Sequence, residues 1–328
     1  MASLVTIFGG SGFVGRYVAQ RMAAAGWRVR VAVRHPKKAD FVTQYGEEGQ
    51  VETVRCNLLD DASVQAALTG ADVAVNCVGI LAETGKNKFA AVQAEGAARI
   101  ARLAAENGVA RMVQISAIGA DSASESLYAT SKAEGEAAVQ RFMPDAVILR
   151  PSIIFGPEDQ FFNRFAAMTR LSPFVPVVGA DTRFQPVYVQ DVAHAAEKAI
   201  LGQAAPGIYE LGGPDVESFR ALMARMLKVI KRRRIVLPLP MWIGRLMAFG
   251  FDTLEKVTFG MIPNAMITRD QVKNLARDNV VAADAKGFAD LGIEPVPMAS
   301  VLPDYLWKFM PSGQYESSKE SAKHLRNS

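Results

Sequence analysis

The sequence contains little cysteine and little histidine. Among 328 residues there are two cysteines and three histidines. Cys56 and Cys77 lie far apart in apolar runs, which predicts buried, reduced thiols in a cytosolic protein rather than a disulfide framework. The histidines are scattered without the spacing of metal ligands, so no metal site is expected.

The chain also lacks a long uncharged apolar run and a strong excess of one charge. No such run reaches the roughly 20 residues that span a bilayer, and the formal net charge is only +4. This mild excess does not indicate nucleic acid, and no nucleic-acid partner is expected. The first predicted strand starts within a few residues of Met1, so no signal or transit peptide is expected.

A glycine-rich turn lies between the first predicted strand and the first predicted helix. Residues 5–16 read VTIFGGSGFVGR. In dinucleotide-binding units, glycines at this spacing allow the tight turn, the close approach of the backbone to pyrophosphate, and the packing of helix on strand. The N-terminus of the helix then offers unpaired N–H groups to phosphate. The motif predicts a nucleotide site formed by Gly9, Ser11, Gly12, Phe13, Val14, Gly15 and Arg16.

The residue after the second predicted strand indicates which dinucleotide binds. Arg28–Val33 is followed by Arg34, where NAD-binding units carry an acid that accepts from the ribose hydroxyls. Arg34 instead offers positive charge to a 2′-phosphate, and Lys37 and Lys38 add to it. NADPH is therefore the expected cofactor. The alternative is a solvated basic loop.

Further strands and helices alternate along the chain. The predicted strands are residues 51–56, 72–77 and 111–116, and a long alanine-rich helix is predicted over 88–107. Asp60 or Asp61 is expected to cap the helix that follows the first of these strands. Small or polar residues follow the strand ends, where Asn57 and Leu58 are expected at the adenine and Val78 and Gly79 at the cofactor backbone.

A tyrosine and a lysine one turn apart open the next predicted helix, over residues 128–142. A nearby ammonium lowers the pKa of a phenol, so Tyr128 and Lys132 are suited to exchange a proton with a carbonyl or an alcohol. Ser116, at the end of its strand, is expected in the same crevice. A Tyr–Lys pair at this spacing is common by chance, and the strand–helix units before it make the motif more specific.

The second half contains a basic run followed by an apolar, aromatic segment. Residues 225–234 include six basic residues and no acid, and residues 235–251 carry Arg245 as their only charge. A helix predicted from Met241 places three large apolar residues on one face: Trp242, Leu246 and Phe249. The stripe fits a core position and, after a basic run, fits equally well a helix lying on an anionic membrane.

Several motifs taken together identify a family resemblance. They are GGSGFVG at 9–15, the turn at 76–79, Tyr128 with Lys132, RPSIIFGP at 150–157 and QPVYVQDV at 185–192. This set resembles the extended or atypical short-chain dehydrogenase/reductase superfamily over residues 1 to about 215. The resemblance implies an α/β fold, a doubly wound parallel sheet of the Rossmann type, with the dinucleotide along its edge.

The same resemblance implies roles for individual residues. Tyr128 and Lys132 correspond to the catalytic pair, in which Lys132 also holds the nicotinamide ribose and Ser116 assists. The pair is either active or a remnant of an active site. The nicotinamide is bordered by Pro151, Ile153 and Ile154. Ala117 stands where many members carry a second serine, which puts the hydroxyl partner of Tyr128 in doubt.

Segments of the second half narrow the resemblance. LPLP at 237–240, the aromatic helix, IP at 262–263 and ITRDQV at 267–272 follow RPSIIFGPEDQFFNRFA at 150–166. This order is similar to the nucleotide-binding accessory subunit of respiratory complex I, the alpha-subcomplex subunit-nine family. It implies a tightly held, structural NADPH, complex I partners in the peripheral arm, and membrane contact through about residues 231–260 near the quinone-entry region. A bacterial version is expected on the cytoplasmic side of the inner membrane.

The expected organisation is an NADP(H)-binding domain over 1–215, a smaller, mixed, helical membrane- or partner-facing part over 216–310, and a polar tail over 311–328. Some segments of the second part are expected to interleave from about residue 151. Two other functions stay open: an independent NADPH-dependent reductase, dehydratase or epimerase that uses Tyr128 and Lys132, and a sensor of NADP(H) redox state.

Overall fold

The computed structural model describes residues 2–257, 268–311 and 313, and strands and helices alternate through most of them. The described strands are β1 (Leu4–Phe8), β2 (Arg28–Val33), β3 (Val51–Arg55), β4 (Val73–Asn76), β5 (Arg111–Ile115), β6 (Val147–Pro151), β7 (Ile154–Phe155), β8 (Phe174–Val178), β9 (Arg183–Phe184), β10 (Val187–Tyr188), β11 (Gly207–Leu211), β12 (Glu217–Ser218) and β13 (Ile235–Leu239). The described α-helices are α1 (Phe13–Ala24), α2 (Pro36–Ala39), α3 (Asp61–Leu68), α4 (Glu95–Glu106), α5 (Leu127–Phe142), α6 (Phe162–Met168), α7 (Val189–Ile200), α8 (Phe219–Val229), α9 (Met241–Val257), α10 (Arg269–Asn274) and α11 (Met298–Leu306).

A seven-stranded parallel sheet forms the centre of the fold, with strand order β3–β2–β1–β4–β5–β6–β11. Its strands are rich in β-branched residues because helices cover both faces. Residues of α1 and α7, such as Val18 and Val192, pack on one face. Residues of α3 and α4, such as Val64 and Ile100, pack on the other. The predicted doubly wound α/β fold is confirmed.

A second core lies beyond the sheet and is built from segments that follow β6. Side chains of α6, α8 and α11 meet there, with Phe162, Met226 and Leu302 fully buried. Three two-stranded pairs frame it: β7 with β10 and β8 with β13 in parallel, and β9 with β12 antiparallel. This smaller part closes over the carboxyl ends of the sheet strands, where a parallel sheet binds ligands.

The helix predicted over 88–107 differs from the observed one. A π-helical segment, Ala90–Ala94, precedes α4, which begins at Glu95. At this wide turn α5 packs so closely that a Cβ on Gly135 would lie 2.4 Å from the carbonyl oxygen of Gln93. Such insertions in a helix are frequent at functional sites, and Gln93 reappears in the site below.

The apolar stripe of α9 lies on the surface and not in the core. Trp242, Leu246 and Phe249 are 64%, 64% and 54% exposed. The opposite face is buried: Ala248 is inaccessible, and a Cβ on Gly244 would lie 2.5 Å from a methyl carbon of Val178 on β8. Among the described residues, no helix is long and apolar enough to cross a bilayer. Residues 258–267, and the predicted tail from 314 onward, lie outside the described residues.

Candidate nucleotide site and its crevice

The parallel sheet brings the predicted cofactor-binding residues to one edge. Since all seven strands run in one direction, the segments that follow them meet at their carboxyl ends. The predicted residues that follow β1 to β5, one from each strand, are Gly9, Arg34, Asn57, Val78 and Ser116, and Pro151 ends β6. Six consecutive segments of the chain therefore contribute to one groove.

The glycine turn after β1 has the geometry that the motif predicts. Gly9 has φ +74°, a left-handed conformation that favours glycine. A Cβ on Gly15 would lie 2.4 Å from the carbonyl oxygen of Gly9 and 2.7 Å from the Cα of Gly10. Any side chain at Gly15 would push α1 away from the turn, so glycine is required there for the packing of helix on strand.

The N-terminus of α1 faces the groove without a side-chain cap. Gly12 is the capping residue and supplies no hydrogen bond, so the first backbone N–H groups are open to a phosphate. Arg16 donates to the carbonyl oxygens of Ser11 and Gly12, each at 3.2 Å, and lies 3.4 Å from the Glu158 carboxylate. Its charge is therefore shared with Glu158, and its contact with phosphate stays a prediction.

Two arginines stand at the ends of the neighbouring strands β2 and β3. Arg34 is exposed, and its Nη1 lies 3.2 Å from Oδ1 of Asn87. Arg55 is also exposed and pairs in register with Val33, the residue before Arg34. Sequence reasoning missed Arg55, although its place at a strand end next to β2 was the available signal. The two guanidinium groups give this corner the positive charge that suits a 2′-phosphate.

The loop after β3 is held by local hydrogen bonds. The side chain of Asn57 accepts from the backbone N–H of Leu59 at 3.2 Å, and the carbonyl oxygen of Leu58 accepts from Arg99 at 2.7 Å. Asp60 accepts from the N–H of Ala62 at 3.2 Å, which confirms the predicted cap of α3. The loop is thus fixed at the edge where adenine is expected.

A buried acceptor and a buried ammonium lie side by side behind Gly79. A Cβ on Gly79 would be 3.3 Å from Nζ of Lys132 and 3.8 Å from Oε1 of Gln93. Gln93 is only 3% exposed, and its Oε1 has no hydrogen-bond partner among the described residues. Sequence reasoning missed Gln93. Because a buried unpaired acceptor is unfavourable, this corner fits the hydroxyl groups of a bound nicotinamide ribose, with Lys132 and Gln93 as their partners.

The Tyr128–Lys132 pair does not have the predicted electrostatics. Burial and, to a smaller extent, the nearby charge of Asp270 together raise the pKa of Tyr128 to about 12. The ammonium of Lys132 lies 5.9 Å from the centroid of the Tyr128 ring. Burial lowers the pKa of Lys132 to about 8, and the charge of Glu136 opposes this shift. The prediction that Lys132 lowers the pKa of Tyr128 is therefore wrong for the nucleotide-free chain.

Ser116 is engaged by a buried ion pair and not by Tyr128. Its hydroxyl donates to the carboxylate of Glu136, which is 4% exposed and also accepts from Arg150 at 2.6 Å. Because the hydroxyl has one proton to donate, the proton that the predicted assisting role requires is committed to Glu136. Glu136 follows Lys132 by one helical turn, a spacing that could have revealed it.

A carboxylate from the C-terminal part caps the helix that carries Tyr128. Asp270, in α10, accepts from Oγ of Ser126 at 2.8 Å and from the backbone N–H groups of Leu127 and Tyr128 at 2.7 and 3.1 Å. A negative charge at a helix N-terminus is favourable. Asp270 and Tyr128 are 142 residues apart in the sequence, and no local pattern predicts this contact.

The segment that contains Asp270 crosses the mouth of the crevice. Gln271 donates to the carbonyl oxygen of Leu81 at 3.2 Å, and Lys273 donates to that of Glu125 at 2.8 Å. Further along, Asn279 accepts from Ser152 at 2.7 Å. Residues 270–279 therefore tie together the loops that follow β4, β5 and β6, on the side where a substrate would approach Tyr128.

Comparison with known proteins extends these observations beyond the nucleotide groove. Residues 5–212 match the model of the NAD dependent epimerase/dehydratase family. The chain is 32% identical over 326 residues to the mitochondrial NADH dehydrogenase [ubiquinone] 1 alpha subcomplex subunit 9 of Arabidopsis thaliana, a match that covers 98% of this chain and 81% of the relative. The match therefore continues through the C-terminal part, which the family model does not reach.

Two further comparisons concern enzymes. The ceramide reductase of Caulobacter vibrioides is 34% identical over 190 residues, which is 58% of each chain. A dTDP-glucose 4,6-dehydratase from Streptomyces venezuelae, solved with NAD bound, superposes with a TM-score of 0.70 over 96% of this chain and 99% of its own, at 18% identity. At this identity the likeness shows the fold alone.

Proposed function

Because the chain belongs to the NAD dependent epimerase/dehydratase family, and within it to the alpha subcomplex subunit 9 group, we propose that it is an accessory subunit of respiratory complex I. In this role it binds NADPH as a structural cofactor and has no turnover of its own. Residues 1–215 form the nucleotide-binding domain, and residues 216–310 face the membrane and the other subunits of the peripheral arm.

One observation carries the proposal: the 32% identity to the subunit 9 relative covers 98% of this chain. It includes the C-terminal part, where α9 presents its aromatic stripe and α10 crosses the crevice. The match to the ceramide reductase covers only 58% of the chain. The features of the C-terminal part are thus the ones that favour a subunit over an enzyme.

The arrangement of the crevice supports a cofactor that is held and not consumed. Burial and the charge of Asp270 raise the pKa of Tyr128 to about 12, which disfavours the phenolate that a general base requires. Ser116 donates to Glu136, and α10 lies where a substrate would enter. What the residues can do is bind: the N–H groups of α1 hold pyrophosphate, and Lys132 and Gln93 hold a ribose.

Arg34 and Arg55 support NADPH as the nucleotide. Both are exposed at the ends of adjacent strands, at the corner where the ribose of the adenosine is expected. A guanidinium pairs with a 2′-phosphate through charge-assisted hydrogen bonds, whereas the NAD ribose offers it only hydroxyl groups.

Exposed apolar side chains support contact with the membrane. They lie on α9, on β8 and β13, and just before β8, and they are Leu171, Phe174, Ile235, Leu237, Trp242, Leu246 and Phe249. The strand pairing places Ile235 beside Phe174. Large apolar side chains that cluster on a surface are typical of an interaction site. We place the chain on the cytoplasmic face of a bacterial inner membrane, bound peripherally through about residues 231–260.

The proposal is tested by tagging the chain in its own cell, solubilising membranes gently, and resolving the complexes on a native gel. We expect the tag to migrate with a large assembly that oxidises NADH. The variant Tyr128→Phe, which removes the proton-transfer hydroxyl, should assemble as the wild type does. Recovery of the chain only as a free, soluble protein would reject the subunit function.

The second candidate is an independent NADPH-dependent reductase, favoured by the retention of both Tyr128 and Lys132 and by the partial match to a ceramide reductase. It requires α10 to leave the crevice. Steady NADPH oxidation with a carbonyl substrate, lost in Tyr128→Phe, would establish it in place of the structural role.

A further inference from the structure

A basic groove lies beside the exposed apolar surface and plays no part in the nucleotide site. It is an open cavity of about 820 Å³ between the end of α8 and the start of β13. Its lining includes five cationic residues, Lys228, Lys231, Arg232, Arg233 and Arg234, and no aspartate or glutamate. Positive charge concentrated around one cavity, from Lys228 and Arg232–Arg234 above all, predicts an anionic ligand.

The turn after α8 gathers these charges. Lys231 adopts φ +51°, a left-handed conformation that is uncommon for a residue with a side chain. The backbone N–H of Lys231 donates to the carbonyl oxygen of Lys228 at 3.2 Å, and that of Arg232 donates to Leu227 at 3.1 Å. This compact turn ends the helix, and it reverses the chain so that the basic run folds back over the end of α8.

Two of the arginines are held in place by groups that leave their charge intact. Nε of Arg232 donates to the carbonyl oxygen of Phe309 at 2.7 Å, and Nε of Arg234 donates to that of Thr169 at 3.0 Å. Backbone carbonyls fix a guanidinium without neutralising it. Burial and the charges of Arg234 and Arg170 lower the pKa of Arg232, so these guanidinium groups lie near one another. A bound anion would relieve this repulsion.

The surroundings of the groove select among anions. Ile235, which lines the groove, is 60% exposed, and Leu237, two residues further along the same strand, is 42% exposed. A phosphate-binding charge next to an apolar strip matches the two parts of a lipid. The headgroup would enter the groove, and the acyl chains would lie along β13 and β8. A soluble phosphate compound would leave the apolar strip in water.

We infer that the groove formed by Lys228 and residues 231–234 binds the phosphate headgroup of an anionic glycerophospholipid. The inference rests on the proposed membrane contact and adds to it a defined site and a lipid class. In this arrangement, α9 and the β8–β13 edge anchor the chain in the apolar part of the bilayer. The groove distinguishes an anionic bilayer from a neutral one.

The test is flotation of the full chain with vesicles of phosphatidylcholine alone or of phosphatidylcholine mixed with phosphatidylglycerol. The test variant is Arg232→Gln/Arg234→Gln, and the control variant is Arg28→Gln/Arg220→Gln, which removes two exposed arginines outside the groove. We expect the wild type to prefer the anionic vesicles and the test variant to bind them about thirtyfold more weakly, whereas the control loses only a few-fold. Circular dichroism and retained NADPH binding show that each variant is folded.

The other outcomes overturn the inference in distinguishable ways. If both double variants lost the same amount of affinity for anionic vesicles, the total charge of the protein would explain binding, and a specific headgroup site would be rejected. Equal binding of the wild type to both kinds of vesicle would retain the membrane contact and reject the headgroup site. Binding to neither kind, with migration in the respiratory assembly unchanged, would reject the site and leave the subunit function standing. Release from anionic vesicles by millimolar inorganic phosphate at constant ionic strength would show a site for free phosphate.

Discussion

Replacing Lys132 with methionine should stabilise the nucleotide-free chain at neutral pH, and this advantage should disappear as the pH rises. Lys132 is 6% exposed, and burial lowers its pKa from 10.5 to about 8. Below pH 8 both states carry the proton, and the folded state bears the buried charge. As the pH rises from the pKa of Lys132 in the folded state towards its pKa in the unfolded state, folding releases the proton. The free-energy cost of burying the charge is then relieved.

The size of the effect follows from the lowered pKa. The difference between 10.5 and about 8 corresponds to about 3 kcal/mol of destabilisation near pH 7. Methionine removes this penalty and also loses the hydrogen bond from Nζ to the carbonyl oxygen of Ile115 at 3.4 Å, which contributes about 1 kcal/mol. We therefore expect a net gain of about 2 kcal/mol near pH 7. Near pH 9.5 the wild type has recovered about 2 kcal/mol, and the two proteins should be about equally stable.

Urea unfolding of the nucleotide-free proteins, followed by circular dichroism at both pH values, measures the two differences. The control is Lys86→Met, which removes an exposed lysine from the loop after β4 and should show no pH-dependent gain. A stability difference between Lys132→Met and wild type that is the same at both pH values would refute the reasoning, because it would show that Lys132 has an ordinary pKa in the fold.

Three further predictions concern the nucleotide groove and its cap. Arg34→Ala should weaken NADPH binding by about 1–3 kcal/mol and NADH binding hardly at all, as fluorescence titration can measure, and equal losses would contradict a 2′-phosphate contact. Gly15→Ala should destabilise the chain by about 1–3 kcal/mol, because its Cβ would overlap the turn, and Gly250→Ala in open space should not; thermal unfolding that ranks them the other way would contradict this. Asp270→Asn should lower the pKa of Tyr128 in an ultraviolet absorbance titration and should destabilise α5 by about 1 kcal/mol, and an unchanged tyrosine titration would exclude the charge of Asp270 as a cause.

The parts of the fold that sequence reasoning predicted are those set by local patterns. Arg28–Val33 is a strand because three of its four apolar residues are β-branched valines, and its predicted bounds are those of β2. Ser218 caps α8 by accepting from the backbone N–H of Ala221 at 3.2 Å, a role for which serine is a preferred residue. The glycine turn was predictable because its glycines are required by the local backbone conformation and packing. At Gly15, for example, a Cβ would overlap the turn.

The parts that sequence reasoning missed depend on contacts between distant segments. The pKa of Tyr128 follows from its burial and from Asp270, and neither is visible in the spacing of Tyr128 and Lys132. The hydroxyl of Ser116 is committed to Glu136, which lies 20 residues away on another element. The spacing of apolar residues in α9 correctly predicted an apolar stripe. Only the packing of α9 against β8 determines which face of the helix is exposed to solvent.

A short series of contacts links α9 to the N-terminus of α5. Arg269 lies 4.4 Å from the ring of Phe249 and 3.6 Å from the carboxylate of Asp252, both on α9, while the next residue, Asp270, holds the N-terminus of α5. The contacts of α9 thus reach the helix of Lys132 through two adjacent residues. If this link couples the two sites, nucleotide binding and a contact made by α9 must change each other's binding free energy by the same amount.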